Sequence, residues 1–154
     1  MSDDIRIRQG TSSDINRIAE FQQALAQESE GKTLDDDVLL KGIQKIFQDE
    51  GRGFYLMAES GDQVVGGLMI TYEWSDWRNA NFWWIQSVYV DDQWHRQGVY
   101  RALHDYVYDI AQSGDDICGI RLYVERNNTV AQQTYNSLGM SQSHYHLYEI
   151  DFVL

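Results

Sequence analysis

The apolar positions of this chain change period several times, and each change marks a new element. In IRIRQ (5–9), Ile5 and Ile7 alternate with polar residues, which is the period of a strand. Thr11 or Ser12 then offers an oxygen to cap a helix, and Ile15, Ile18, Phe21 and Leu25 follow at helical spacing. The polar run AQESEGK breaks that stripe. TLDDD opens a second helix with acidic residues at the positive end of its dipole, and the apolar pairs Val38/Leu39 and Ile46/Phe47, with Ile43 between, recur every four residues. GFYLMAES and QVVGGLMITYEW read as strands joined at Gly61-Asp62, a two-residue hairpin turn. After the loop SDWRNAN comes FWWIQSVYV (82–90), long, aromatic and β-branched, a strand expected to pair with its predecessor.

That strand runs through the polar stretch DDQWHRQG into a helix with Val99, Ala102, Leu103, Tyr106, Val107 and Ile110 on one stripe, stopped by Gly114. CGIRLYV reads as a buried strand and NNTVAQQTYNSLG as a short helix between an asparagine cap and Gly139. SHYHLYEIDFVL reads as a last strand or strand pair. There are no repeats, no low-complexity tract and no proline. The expectation is one α+β domain over residues 1–154, a length that a single core serves.

Composition narrows the function classes. A content of 43 % hydrophobic and 13 % aromatic residues is that of a globular chain. No apolar run approaches the ~18 residues of a membrane span, and MSDDIRIRQG lacks the apolar region of a signal peptide, so a cytoplasmic protein is expected. Cys118 is the single cysteine and His104, His144 and His146 lack ligand spacing, so no metal is expected. The formal charge of −12 repels nucleic acid and anionic membranes and weakly favours a cationic substrate, although solubility alone also accounts for it. On that background the basic cluster Arg96–Arg101 stands out. A cationic glycine turn between a strand and a helix suggests an anion site, because the first N–H groups of a helix have no internal partner. HRQGVY is neither GxGxxG nor a lysine-bearing nucleotide loop, and a plain helix start is the alternative reading.

The order strand, two helices, three-strand meander, glycine turn with its helix, strand, helix and final strands resembles the GNAT superfamily of acyl-CoA-dependent N-acetyltransferases across essentially the whole chain. The resemblance implies a mixed, mostly antiparallel sheet of six to seven strands with splayed central strands, flanked by about four helices. The family's turn reads Gln/Arg-x-x-Gly-x-Gly/Ala and holds the coenzyme A pyrophosphate. Here it aligns with His95, Gly98 and Tyr100, so that His95, Arg96, Gln97, Gly98, Val99, Tyr100 and Arg101 would hold the phosphates. SVYV (87–90) would be the splayed strand, with main-chain groups of Val88, Tyr89 and Val90 offered to the pantetheine and an N–H at Ser87 or Val88 offered to the oxyanion. A second motif, Asn-x-x-Ala-x-x-x-Tyr-x-x-x-Gly-Phe/Met, is matched by Asn128, Ala131, Tyr135, Gly139 and Met140. By that likeness Tyr135 would protonate the departing thiolate, while Asn128 would bond a ligand amide or cap its helix.

On the acceptor side, YEWSDWRNANFWWIQSVYV is similar to the polyamine and thialysine acetyltransferase branch, with Ile85-Gln86-Ser87 where that branch has Leu-Glu-Asp. The base is then Gln86 through an ordered water, or Glu73. Trp74, Trp77 and Glu28 are the candidate acceptor-binding residues; Trp83 and Trp84 suit the strand core or a dimer edge. The expected activity is transfer of acetyl from acetyl-CoA to a primary amine of a small cationic acceptor, by direct attack in a ternary complex, with a homodimer allowed. An acyl-CoA sensor or structural module without turnover, and an acidic interaction module, are the rivals.

Overall fold

The computed structural model describes residues 4–153; Met1–Asp3 and Leu154, at the ends of the expected domain and last strand, lie outside them. The chain divides into two compact units, residues 1–122 and 123–154. In the first, the elements run β1 (Ile5–Gln9), a 3-10 turn (Ser12–Asp14), α1 (Ile15–Glu30), α2 (Asp36–Gln48), β2 (Gly53–Ser60), β3 (Gln63–Ser75), β4 (Ala80–Val90), a 3-10 turn (Asp92–Trp94), α3 (Val99–Ser113) and β5 (Ile117–Arg121). The sheet order is β1-β2-β3-β4-β5, antiparallel except for the parallel β4–β5 pair.

Alternation along the strands gives the sheet two apolar faces, each covered by helices. Tyr55 and Met57 of β2 pack with Ile18 and Phe21 of α1 and Ile43 of α2. The neighbours of Tyr55 and Met57 in sequence, Leu56 and Ala58, point the other way. They join Leu68, Ile70, Trp83 and Ile85 under Val99, Leu103, Val107 and Ala111 of α3. The hairpin forms at the expected turn, with Ser60 opposite Gln63 and Gly61 at φ 59°, a left-handed conformation that costs glycine little. Asp35 caps α2 by accepting from the Val38 N–H, and α1 is entered through Thr11 and a short 3-10 turn. No helix among the described residues is long and apolar enough to cross a membrane.

Two expectations need correction. The strand over CGIRLYV is shorter, Ile117–Arg121, and half-buried throughout, because it closes the sheet at an edge. The sheet has five strands among the described residues rather than six or seven, since SHYHLYEIDFVL forms none up to Val153. Its alternation is real, but a strand also needs a ladder partner, and alternation cannot provide one. In the second unit the short helix forms as expected, as α4 (Thr129–Ser137), with the Asn128 side chain accepting from the Ala131 N–H at 3.2 Å.

The entry to α1 rests on a nearly buried carboxylate. Arg8 grips Asp14 through Nη1 and Nη2, both at 2.8 Å, and the Thr11 N–H donates to the same carboxylate at 2.8 Å. Arg8 also pairs with Glu59 at 3.0 Å. The Arg8 guanidinium holds the Asp14 carboxyl below its ordinary range, more than offsetting the opposing effect of burial. We expect Asp14→Asn to cost about 2–3 kcal/mol in urea unfolding, since it leaves buried donors poorly satisfied. A depressed carboxyl stabilises fully above its unfolded pKa of ~3.9 and loses that contribution as pH falls through the folded value. Wild-type stability should therefore drop more steeply below about pH 4 than that of Asp14→Asn, as read from melting temperature against pH.

Candidate active site

The feature that organises the first unit is the fork between β4 and β5. Their parallel ladder spans only Asn81–Trp84 and Ile117–Arg121, while β4 stays paired to β3 as far as Gly66–Val90. Residues 85–90 therefore have β3 on one side and, among the described residues, no strand on the other. Main-chain polar groups of successive strand residues face alternate neighbours. The Asp91 N–H bonds the Val65 carbonyl at 2.8 Å, so Val90, one residue earlier, faces the open side. The Val90 carbonyl there accepts from His95 Nε2 at 2.9 Å. By the same alternation Val88 faces the open side and Tyr89 faces β3.

Within this stretch β4 carries one extra residue. Gly67 pairs with Tyr89 and Met69 with Gln86, so Leu68 stands opposite both Ser87 and Val88. Ser87 takes up the bulge at φ 55°, a left-handed conformation that an ordinary residue adopts at a cost. It lines a small cleft beneath α1 with Phe21, Gln22, Tyr55 and Leu68.

The chain then turns into α3. Arg96 and Gly98 both have positive φ, 65° and 81°. Gly98 is the N-cap of α3 and no side chain caps the helix; the first intrahelical bond runs from the Ala102 N–H to the Gly98 carbonyl at 3.0 Å. The N–H groups of Val99 and Arg101, in the first turn, thus have no acceptor within the helix. A methyl at Gly98 would meet nothing within 4 Å, so the turn faces open space. Arg96 and Arg101 flank it, exposed, and neither makes an ion pair among the described residues. Gln97 is folded back onto the Gln93 carbonyl at 3.0 Å, and the Tyr100 ring packs beside that of His104, one helical turn on. Such a turn offers main-chain donors, a helix dipole and two exposed cations to an anion.

A polar strip occupies the α1/α2 face of β3 and β4 beyond the apolar cluster. Gln86 Nε2 donates to Thr71 Oγ1. Farther along, Glu73 Oε1 accepts from Trp84 Nε1 and from Arg121, both at 2.8 Å, and Arg121 lies 3.5 Å over the Phe82 ring. The bond from Trp84, with support from Arg121, holds the Glu73 carboxyl below its ordinary range and weakens it as a base. The Arg121–Phe82–Trp84 arrangement around Glu73 went unread in the sequence; the shared face of β3 and β4 would have put Glu73 beside Trp84, but nothing in RLYV pointed to Arg121 as its partner.

The expected acceptor residues do not come together. Glu28, in the last turns of α1, accepts from the Tyr89 hydroxyl at 3.0 Å. Burial and that carboxylate push the Tyr89 hydroxyl up to about 12. Trp74 pairs with Asn81 at the other end of β4, eight residues from Tyr89 or about 26 Å along a strand. Trp74 and Trp77 are 57 % and 87 % exposed, Trp77 within the tight turn before β4. Trp83 is core and Trp84 is half-buried on the polar strip. In the second unit Tyr135 is half-buried, and burial raises its hydroxyl above the ordinary value, so it stays protonated at neutral pH. Asn128 spends its side-chain oxygen on the helix cap.

The sequence model of the acetyltransferase (GNAT) family matches residues 15–140. A crystal structure of a possible acetyltransferase from Clostridium difficile 630 is 46 % identical, covering 97 % of this chain and 99 % of that one, with a TM-score of 0.90. Two more distant structures share the fold. One is a predicted acetyltransferase with acetyl-CoA from Clostridium acetobutylicum, with 14 % identity, 95 % and 96 % coverage and a TM-score of 0.76. The other is AAC(6')-Iy with the bisubstrate analogue CoA-S-monomethyl-acetylneamine, with 15 % identity, 96 % and 98 % coverage and a TM-score of 0.75. No curated protein matches the chain.

The bulge gives a direct test of the fork. Ser87→Val should destabilise by ~1–2 kcal/mol, because a β-branched residue tolerates positive φ poorly. Ser87→Gly should be neutral or stabilising, and urea denaturation of the pair reads the difference.

Proposed function

This chain belongs to the acetyltransferase (GNAT) family, and from that membership we propose that it moves the acetyl group of acetyl-CoA onto a primary amine of a small cationic acceptor. The observation that carries the reading is the open side of β4 leading directly into a helix start that no side chain caps, flanked by two arginines that make no ion pair among the described residues. The outward main-chain groups of Val88 and Val90 suit the amides of a pantetheine arm. The N–H groups after Gly98, with Arg96 and Arg101, suit its pyrophosphate. His95, the residue standing where the family has arginine or glutamine, contributes by fixing the turn to the Val90 carbonyl.

In the reaction proposed, the neutral amine attacks the thioester carbon, the C–N bond forms, the C–S bond breaks and the nitrogen loses a proton. A main-chain N–H at Ser87 or Val88 stabilises the charge that builds on the carbonyl oxygen. Tyr135 gives its proton to the departing sulfur. Gln86 cannot accept a proton, but with Thr71 it can hold a water that does. Glu73, tied to Trp84 and Arg121, serves better as a fixed anion than as the base. The cationic preference rests on the net charge of −12 and on Glu28 beside the fork.

The same arrangement of Gln86 and Glu73 favours a second reading, an acyl-CoA-binding module without turnover. Thiol release with a panel of amines separates the two. Release above the no-amine background supports transfer, and its absence in a protein that acetyl-CoA stabilises supports the module. Acetyl-CoA at 100 times its dissociation constant should stabilise the folded chain by about 2.7 kcal/mol, seen as a raised melting temperature. Gly98→Asp should remove that shift, because it sets a carboxylate against the anion. No shift with wild type at millimolar acetyl-CoA would remove the coenzyme assignment.

Tyr135→Phe should lower kcat by about 10²-fold while leaving acetyl-CoA affinity and melting temperature near wild type, since the lost help exists only in the transition state. Normal turnover in the variant would assign the proton to water. Turnover of a cationic amine should also slow as salt rises through the physiological range, because screening shortens the reach of the acidic field. Faster turnover of anionic acceptors would overturn the cationic preference.

A further inference from the structure

The far end of the polar strip holds more positive charge than its own carboxylate balances. Phe82 of β4 is nearly buried, and two guanidiniums lie against its ring. Arg121 of β5 is 3.5 Å from the ring centroid, and Arg78, from the turn before β4, is 5.0 Å from it. The negative face of an aromatic ring attracts a guanidinium, so both cations are held by the same side chain. Arg78 is fixed further by Ser75, donating to its Oγ at 3.2 Å, while the main-chain bond from the Arg78 N–H to the Ser75 carbonyl closes the turn.

Glu73 sits between β4 and this pair. Its Oε1 takes Trp84 Nε1 and Arg121, both at 2.8 Å. Arg78 is near enough to help hold the Glu73 carboxyl down, yet it makes no ion pair among the described residues. One carboxylate against two guanidiniums leaves a positive charge in excess, on a chain whose net charge is −12. Guanidinium groups present a planar fork that matches a carboxylate.

This charge lies in line with the fork. Phe82, Trp84 and Gln86 share one face of β4, and Phe82 is four residues from Gln86, about 14 Å along a strand. Arg121 stands opposite Trp84 in the ladder, two residues or about 7 Å from Gln86. We propose that the acceptor carries a carboxylate at the end away from its reacting amine, and that Arg78 and Arg121 hold that carboxylate. The acceptor class is then a basic amino acid acetylated on its side-chain amine, and not a plain diamine. This rests on the proposed acetyl transfer and deepens it. It also reverses an order that the acidic field alone would set, since the field favours a diamine with two positive charges over an amino acid with a net charge of one.

Matched pairs test it: lysine against cadaverine, and ornithine against putrescine, each the same amine with and without the carboxylate. Thiol release at saturating acetyl-CoA should give the amino acid of at least one pair a kcat/KM about tenfold above its diamine. Arg78→Gln should raise KM for that amino acid about tenfold, with kcat and the acetyl-CoA melting shift near wild type, and should affect the diamine far less. Arg78→Lys should recover only part of the loss, because an ammonium lacks the fork. Arg121 is left intact, since its loss would also release Glu73. Diamines used as well as or better than both amino acids overturn the proposal, as does an Arg78→Gln loss shared equally by the two members of a pair. If no amine releases thiol from a protein that acetyl-CoA stabilises, the transfer reading has failed separately, and calorimetry of the same pairs with the coenzyme A complex decides the subsite. Tighter binding of the amino acid, lost in Arg78→Gln, supports it; equal, reversed or absent binding overturns it.

Discussion

Strand β4 has to serve two neighbours that diverge. It is laddered to β3 along its length, yet keeps β5 for only the four residues Asn81–Trp84. Buried main-chain groups need partners, so a strand that loses one neighbour must turn that side to solvent, to another side chain or to a ligand. Here His95 takes the Val90 carbonyl, and this single bond joins the open strand to the turn that follows. The bulge at Ser87 belongs to the same constraint, since an extra residue increases local twist and bends the strand away from its former partner. With Val99, Leu103 and Val107 of α3 buried against the sheet beneath, the open strand, the turn and the helix start are all seated on one core. The proposed site therefore draws its preorganisation from the core, in the sense that matters for binding an extended flexible arm.

Charge follows a similar division between holding and receiving. The chain has 24 acidic and 12 basic residues, so a cation seldom lacks a carboxylate nearby. Arg8 is taken by Asp14 and Glu59, Arg17 by Glu20 and Asp91, and Arg121 by Glu73. These pairs join elements that the backbone does not: Arg8 fixes the entry of α1, Arg17 fixes α1 to the end of β4, and Arg121 spans the fork. Arg96 and Arg101 stand out because no carboxylate among the described residues claims them, and they sit where the α3 dipole already favours negative charge.

The helices, the Gly61 hairpin, the glycine turn and the asparagine cap were legible because each is written in local periods and in residues with fixed conformational roles. The resemblance of HRQGVY and NNTVAQQTYNSLGM to family motifs was legible for the same reason. What escaped was set by partners distant in sequence. CGIRLYV is apolar enough for a central strand, but its burial depends on whether anything lies beyond it. SHYHLYEIDFVL alternates as a strand should, and whether it becomes one depends on a ladder that no local pattern records. Glu73 reads as a strand-end charge until Arg121, 48 residues later, is placed against it. Glu28, Trp74 and Trp77 were grouped as acceptor-binding residues by residue type, and the length of β4 separates Glu28 from the tryptophans.

The fate of Glu73 bears on the hardest step of the proposed reaction. A free lysine-like amine has a pKa of ~10.4, so at neutral pH only about one molecule in a thousand carries the lone pair the attack needs. An acidic field concentrates a cationic acceptor, yet it also stabilises the ammonium and raises that pKa, and each unit of increase reduces the reactive fraction tenfold. A carboxylate base within the strip would answer one difficulty and deepen the other. Gln86 and Thr71 are neutral, and Arg121 brings a positive charge onto the same strip while cancelling Glu73. With those two charges paired, the strip gives the ammonium no net negative partner and so does not raise the amine pKa where reaction occurs. On this reading the outer surface gathers the cation, and the strip beside the fork is kept neutral so that the proton can leave.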